Sequence, residues 1–295
     1  MNRSEVQSLV ATPLIVVVGA VIAWAGSQGG ATVGVLPLFL LCAMLSFGLN
    51  WLIFAHAYLA QTERFFDLTG SITYVSVIAV SLALAAERDP RSFLLGAMVI
   101  IWATRLGSFL FSRIQRDGSD GRFDEIKPSL PRFLMTWTLQ GLWVLLTVAC
   151  ELAAITTTRP VPLGFFAAFG TLIWIFGFTV EVIADHEKRR FRADPSNHGR
   201  FIRSGIWAWS RHPNYFGEIT LWLGVAIVAS PALSGWQNAT LISPIFVYML
   251  LTRISGIPLL ESRGKKKWGH EPEYQAYRER TPALFLWPPR TGPSS

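Results

Sequence analysis

Charge is scarce in this chain. Asp, Glu, Lys and Arg make up only 15% of its 295 residues, against roughly a quarter in ordinary soluble domains. Too little polar surface is available to cover a water-facing protein of this size, which argues against a soluble enzyme. Cysteine is scarcer still. Cys42 and Cys150 each sit in an apolar run with no second thiol or histidine at metal spacing, which excludes a disulfide framework or a zinc site built on them. The Gly-x-Gly-x-x-Gly turn, the P-loop and the His-Glu-x-x-His helix are all missing, so a dinucleotide, if bound, is not held by a Rossmann turn, and no metal site is expected. No Pro- or Ser-rich linker divides the chain and no internal repeat is visible.

What the chain has instead is apolar length. Hydrophobic residues are 51% of the total and the mean hydropathy is +0.38, values that exclude disorder and a coiled coil. A hydrocarbon core about 30 Å thick takes roughly 20 apolar residues per helix. Eight runs meet that measure, near 8–26, 33–58, 68–86, 92–112, 133–155, 161–184, 213–232 and 238–260. The expected fold is all-α: a single polytopic membrane helix bundle over 1–295 with seven to eight transmembrane helices and a basic, aromatic carboxyl-terminal tail. Pro244 and Pro258 interrupt the eighth run, which either spans or re-enters. The first run also reads as a signal peptide ending at Ala23-Trp24-Ala25, but its apolar stretch exceeds the ~7–15 residues of a signal core.

Charge asymmetry orients the bundle. With the amino terminus inside, 22 of the 26 basic residues fall in inner segments and only Arg88, Arg91 and Arg159 in outer ones, Arg105 lying within a span. This positive-inside pattern predicts cytoplasmic amino and carboxyl termini, in the inner membrane if the source is bacterial. It explains the net charge of +7 without a nucleic-acid partner. The tail, with Lys265, Lys266, Lys267 and Trp268, suits the anionic inner leaflet, so membrane lipids are expected partners. Nothing in the pattern specifies an oligomeric state.

Ionisable groups inside spans are costly and mark function. Arg105 lies midway along the fourth run, with Ser108, Ser112 and Arg113 on the same helical face. One deep and one shallow guanidinium suit an extended polyanion entering from inside, although Arg113 also fits a residue snorkelling to the interface. Glu181, Asp185, Lys188, Arg189 and Arg192 continue one polar face past the sixth run. That face is either a solvated, salt-bridged one or a set of carboxylates for ribose and arginines for phosphate. The densest segment is Ser210-Arg211-His212-Pro213-Asn214-Tyr215-Phe216-Gly217-Glu218, in which Pro213 opens a helix carrying Asn214 and Glu218 on one face. In the third run Tyr74 offers a phenol near the level of Arg105, equally suited to a proton donor or a structural tyrosine.

The Arg211–Glu218 segment, followed by Leu260-Glu261-Ser262-Arg263, Gly269, Tyr274, Tyr277 and a Thr-Pro tail, resembles the carboxyl-terminal domain of the steroid 5α-reductase superfamily, which also holds sterol reductases and isoprenylcysteine carboxyl methyltransferases. The resemblance is specific from about 170 to 290 and looser before. It implies a multi-pass fold with NADPH held among the later helices, residues 131–295 forming the cofactor region and 1–130 the substrate side. By local similarity Asp185, Arg192, Asn214 and Glu218 fall at cofactor contacts, as does Arg105. Arg113, Arg211 and Tyr274 join them as further cofactor-binding candidates. Two departures weaken the steroid chemistry. The adjacent Gln-Glu pair of the steroid enzymes is echoed only by the interrupted Gln61-Thr62-Glu63, and their catalytic tyrosine appears here as Trp102.

The expectation is an NADPH-dependent reductase of a conjugated C=C bond in a lipophilic steroid- or isoprenoid-like substrate, with Tyr74, and less strongly Glu63, as catalytic donor. Two alternatives stand beside it: an S-adenosylmethionine-dependent methyltransferase of the isoprenylcysteine type, and a non-catalytic lipid-binding protein that keeps the fold.

Overall fold

The structure is a computed structural model that describes residues 2–117, 121 and 123–288, with side chains throughout except at 113 and 115–117. Among the described residues the regular structure is helical apart from a small hairpin with strands Thr32–Val33 and Leu36–Pro37 and an isolated bridge between Gly30 and Thr157. Seven helices are long and apolar enough to cross a membrane, eight if a bent pair counts as one span. The protein is an integral, multi-pass membrane protein.

By contacts the chain forms two compact units, Met1–Ala168 with Val225–Ser243, and Phe169–Gly224 with Pro244–Ser295. The first unit contains α1 (Arg3–Ser27), α2 (Leu38–Leu59), α3 (Phe66–Leu84), α4 (Pro90–Asp117), α5 (Leu130–Thr147) and α6 (Ala149–Ile155). Local chemistry explains several of the boundaries. Asn2 and Glu5 close a reciprocal capping box on α1, satisfying amides that an exposed helix start leaves open. Pro37 precedes α2, and Pro131 sits in the first turn of α5, where a missing N–H costs nothing. The core is dominated by large apolar side chains such as Phe39, Ile78, Leu95, Phe133 and Trp137.

The fifth apolar run is not one straight helix. α5 and α6 meet at a bend of 57°, although neither proline nor glycine marks the break. The cause is a side chain inserted into the helical ladder. The Ser243 hydroxyl donates to the Leu146 carbonyl at 2.8 Å and accepts from the Cys150 amide at 3.2 Å. These are the two groups that a continuous helix would have joined to each other.

The second unit contains α7 (Phe165–Ala193, from Phe169 onward), the first part of α8 (Pro213–Ala229), most of α9 (Ile242–Met249), α10 (Ile257–Trp268) and α11 (Pro272–Arg280). α8 begins at Pro213, as its sequence predicts. α7 and α8 run antiparallel and touch backbone to backbone. A methyl group on Gly217 would stand 2.6 Å from the Gly177 carbonyl, and one on Gly224 would stand 2.6 Å from the Gly170 carbonyl. Only glycine permits that approach. The eighth run, Gly235–Trp268, qualifies as a candidate span, but it passes from a 3-10 segment through α9 into a π turn at Leu250–Ile254 before α10.

Candidate functional site

The carboxyl-terminal unit holds a cavity of about 450 Å³, within the ~300–1,000 Å³ of small-molecule sites. Its wall is built from the carboxyl-terminal end of α7, the loop from Asn197 to His212, α10 and α11. Among the described residues it carries six cations, Lys188, Arg192, Arg200, Arg211, Arg263 and Lys267, against a single carboxylate, Glu261. Such an excess of positive charge around a concave surface is a phosphate-binding environment.

Trp207 anchors one side of the wall. It is buried, its indole donates to the Ala184 carbonyl at 3.0 Å, and the Lys188 ammonium lies 4.6 Å from its ring centroid. The Tyr277 hydroxyl donates to the Trp207 carbonyl at 2.7 Å, and burial pushes its phenol well above the ordinary tyrosine value. Tyr274 is buried and its ring meets Phe201 edge-on at 5.0 Å. Its phenol rests against Gly264, where any side chain would collide with it. Burial raises the Tyr274 phenol too, so both tyrosines stay protonated and can donate. The carboxyl-terminal segment is tied along the loop before α8. The Arg211 amide donates to Pro282 at 2.9 Å, the Ser210 hydroxyl to Leu284 at 2.8 Å, and the Trp287 amide to Trp209 at 3.0 Å.

The candidates from the sequence separate into groups. Arg192, Arg211 and Tyr274 line the cavity. Asp185, Asn214 and Glu218 do not line it; they flank the α7–α8 seam. Glu218 follows Gly217 at the close crossing, opposite buried Glu181, and Asp185, also buried, lies one turn further along α7. The Asn214 side-chain oxygen is buried without a hydrogen-bond partner among the described residues.

Tyr74, Glu63 and Arg105 belong to the amino-terminal unit. The Tyr74 ring stands edge-on to Trp102 at 5.2 Å and 86°, and Arg105 is half-buried one turn beyond Trp102 on α4. Glu63 is buried in the turn between α2 and α3, 2.6 Å from the Lys127 ammonium. The Arg113 side chain lies outside the described residues.

Sequence reasoning singled out neither His212 nor Glu261 as a site residue, yet both line the cavity and touch at 3.1 Å. Lys188 was placed on a polar face and Lys267 on the lipid surface; both line the cavity. The His-Pro and Leu-Glu-Ser-Arg segments were visible as motifs. Their pairing across 49 residues was not.

Fold and site together define a helical, multi-pass membrane protein with a cation-walled cavity. Residues 50–281 match the family described as "Protein of unknown function (DUF1295)", and the chain belongs to that family. It is also distantly similar to 3-oxo-5-alpha-steroid 4-dehydrogenase 1. Identity is 27% over 112 residues with the Bos taurus enzyme, covering 37% of this chain and 38% of that one. With the Rattus norvegicus enzyme it is 24% over 102 residues, 35% and 34% of the two chains. An uncharacterised protein of Schizosaccharomyces pombe is 23% identical over 225 residues, 66% of this chain and 63% of that one. The matches thus span under two thirds of each relative. No solved structure matches.

Proposed function

We propose that this protein is a membrane-embedded, NADPH-dependent reductase of a conjugated C=C bond in a lipophilic, steroid- or isoprenoid-like substrate. The observation that carries the reading is the cavity wall of six cations and one carboxylate, joined to the similarity to a steroid 4-dehydrogenase. The residues present fit the cofactor. Arg192, Arg200 and Arg211 line the cavity and would hold the phosphates. The buried, unused oxygen of Asn214 and the carboxylates of Asp185 and Glu218 suit ribose hydroxyls or a carboxamide. Arg105 is assigned to the cofactor by the resemblance. The 22-to-3 charge asymmetry supports cytoplasmic termini.

NADPH, when bound, would supply the hydride for the β-carbon of an enone. The protein's part is to hold the phosphates, to keep water from the site and to polarise the carbonyl with a fixed donor, an electrostatic contribution that is strongest in a dry cavity. We assign that donor to Tyr74. Its ring stands edge-on to Trp102, and a phenol brings an O–H donor of its own. Glu63 is the weaker candidate, because a carboxylate beside an ammonium is an acceptor.

S-adenosylmethionine, the cofactor of the alternative, carries a sulfonium cation and fits this cationic wall poorly. Thermal stabilisation of the purified protein by NADPH, NADH and S-adenosylmethionine separates the readings. NADPH is expected to stabilise most, and stabilisation by S-adenosylmethionine alone would overturn the proposal. With an enone substrate, Tyr74→Phe is expected to lower turnover by about 100-fold or more while NADPH binds as before. Full turnover in that variant removes Tyr74 from the mechanism.

A further inference from the structure

Three groups converge on the Glu261 carboxylate: Nε of Arg278 and Nε2 of His212 hydrogen-bond to it, each at 3.1 Å, and Nη1 of Arg211 forms an ion pair with it at 3.3 Å. Two guanidiniums keep this carboxylate ionised, and an ionised carboxylate can only accept. Nε2 of His212 therefore carries its hydrogen. The ring has little freedom to turn. His212 is 6% exposed, lies parallel to the Tyr215 ring at 5.7 Å, and its backbone amide donates to the Ser210 hydroxyl at 3.1 Å.

A second proton on this imidazole is disfavoured. Burial pushes His212 below its ordinary value, with Lys188 and Arg211 adding to that and Glu261 opposing it. The ring is neutral, with Nε2–H toward Glu261 and a bare lone pair on Nδ1. Nδ1 has no protein partner among the described residues, and His212 lines the cavity. An acceptor with no protein partner on a residue that lines the cavity is open to a donor from something that enters. A phosphate, itself an acceptor, cannot supply one.

We propose that Nδ1 of His212, oriented by Glu261, accepts a hydrogen bond from a hydroxyl or amide N–H of the bound nucleotide, so that the cavity reads a donor group at His212 and phosphates at its arginines. This rests on the reading of the cavity as a nucleotide site. It makes His212 a binding residue and Glu261 the positioning residue behind it.

Two substitutions take the ring apart. His212→Gln keeps an amide near Nε2 for Glu261 and removes the acceptor at Nδ1. His212→Asn keeps an oxygen near Nδ1 and gives up the bond to Glu261. NADPH affinity of the full-length protein in detergent is measured directly, and inorganic pyrophosphate, a probe with phosphates alone, by competition. His212→Gln is expected to weaken NADPH about five- to tenfold, the loss of one hydrogen bond, with pyrophosphate unchanged. His212→Asn is expected to stay within about threefold of the unsubstituted protein for both.

Equal weakening of both probes in His212→Gln would assign the ring to phosphate, and no change in either would leave it without a role; each outcome overturns the inference while the nucleotide reading stands. Failure of the unsubstituted protein to bind NADPH overturns that reading first. Should His212→Gln not fold, His212→Asn decides alone: NADPH weakened tenfold with pyrophosphate unchanged refutes an acceptor role, and retained affinity supports it.

Discussion

In the amino-terminal unit a buried cation faces the backbone; in the carboxyl-terminal unit clustered cations face a cavity. Arg91 is 2% exposed and its guanidinium donates to the carbonyls of Pro162 at 2.7 Å, Val161 at 3.2 Å and Val228. These hydrogen bonds cross-link three stretches of chain. Arg192 and Arg200, in contrast, are exposed at the margin of a cavity whose one carboxylate among the described residues is shared among Arg211, His212 and Arg278. The same residue type thus does two jobs, and its surroundings decide which. A guanidinium surrounded by carbonyls holds structure together, whereas a cluster of cations around a concave surface suits an anionic ligand.

The largest expected effects come from a reciprocal pair of variants. Arg91→Ala strips three carbonyls of a charged donor in the membrane-embedded unit and should cost about 3 kcal/mol or more, read as a large fall in the melting temperature in detergent. NADPH affinity of the fraction that folds should not change. Arg192→Ala combined with Arg200→Ala should leave the melting temperature of the ligand-free protein within a degree or two and weaken NADPH by about tenfold per residue. Interchange of the two outcomes would dissolve the contrast between the units.

A smaller effect is expected at Ser243. Its hydroxyl bridges Leu146 and Cys150, and Ser243→Ala leaves a buried carbonyl and a buried amide without partners. About 1–3 kcal/mol should be lost, visible as a lower melting temperature. An unchanged melting temperature would mean that the bend at Val148 has another cause.

That bend also shows where sequence reading stops. Apolar run length marked the spans, because the solvent imposes it on each helix separately, and Pro213 marked the start of α8, because its missing N–H acts locally. The break at Val148 carries no local signal, since the residue responsible lies 93 positions from Cys150. Arg91 was counted as an outer-loop charge for the same reason: the carbonyls that bind it come from positions 70 and more away. Helical spacing brought out the Asp185–Arg192 face, whose Lys188 and Arg192 line the cavity, and the Asn214–Glu218 face, which does not line it. Spacing could not show that Glu261 would take up Arg211 and His212, because tertiary pairing has no period.

The smallest predicted effect bears on the proton donor. Lys127 lies 2.6 Å from Glu63 and 3.6 Å from Asp124. The hydrogen bond that the ammonium donates to Glu63 raises the lysine above its ordinary value, against the effect of burial. A lysine whose value is higher in the folded state stabilises that state fully below its unfolded value and loses the contribution as pH rises through the folded one. Lys127→Met should therefore cost about 1 kcal/mol across the neutral range, with the difference in melting temperature shrinking above about pH 10.4. Glu63→Gln removes the charge and keeps the shape, so turnover of an enone should stay within about threefold if the carboxylate serves only this pair. Loss of turnover as complete as that expected for Tyr74→Phe would transfer the donor role from the phenol to the carboxyl, and the Lys127 pair would then have to open during the reaction.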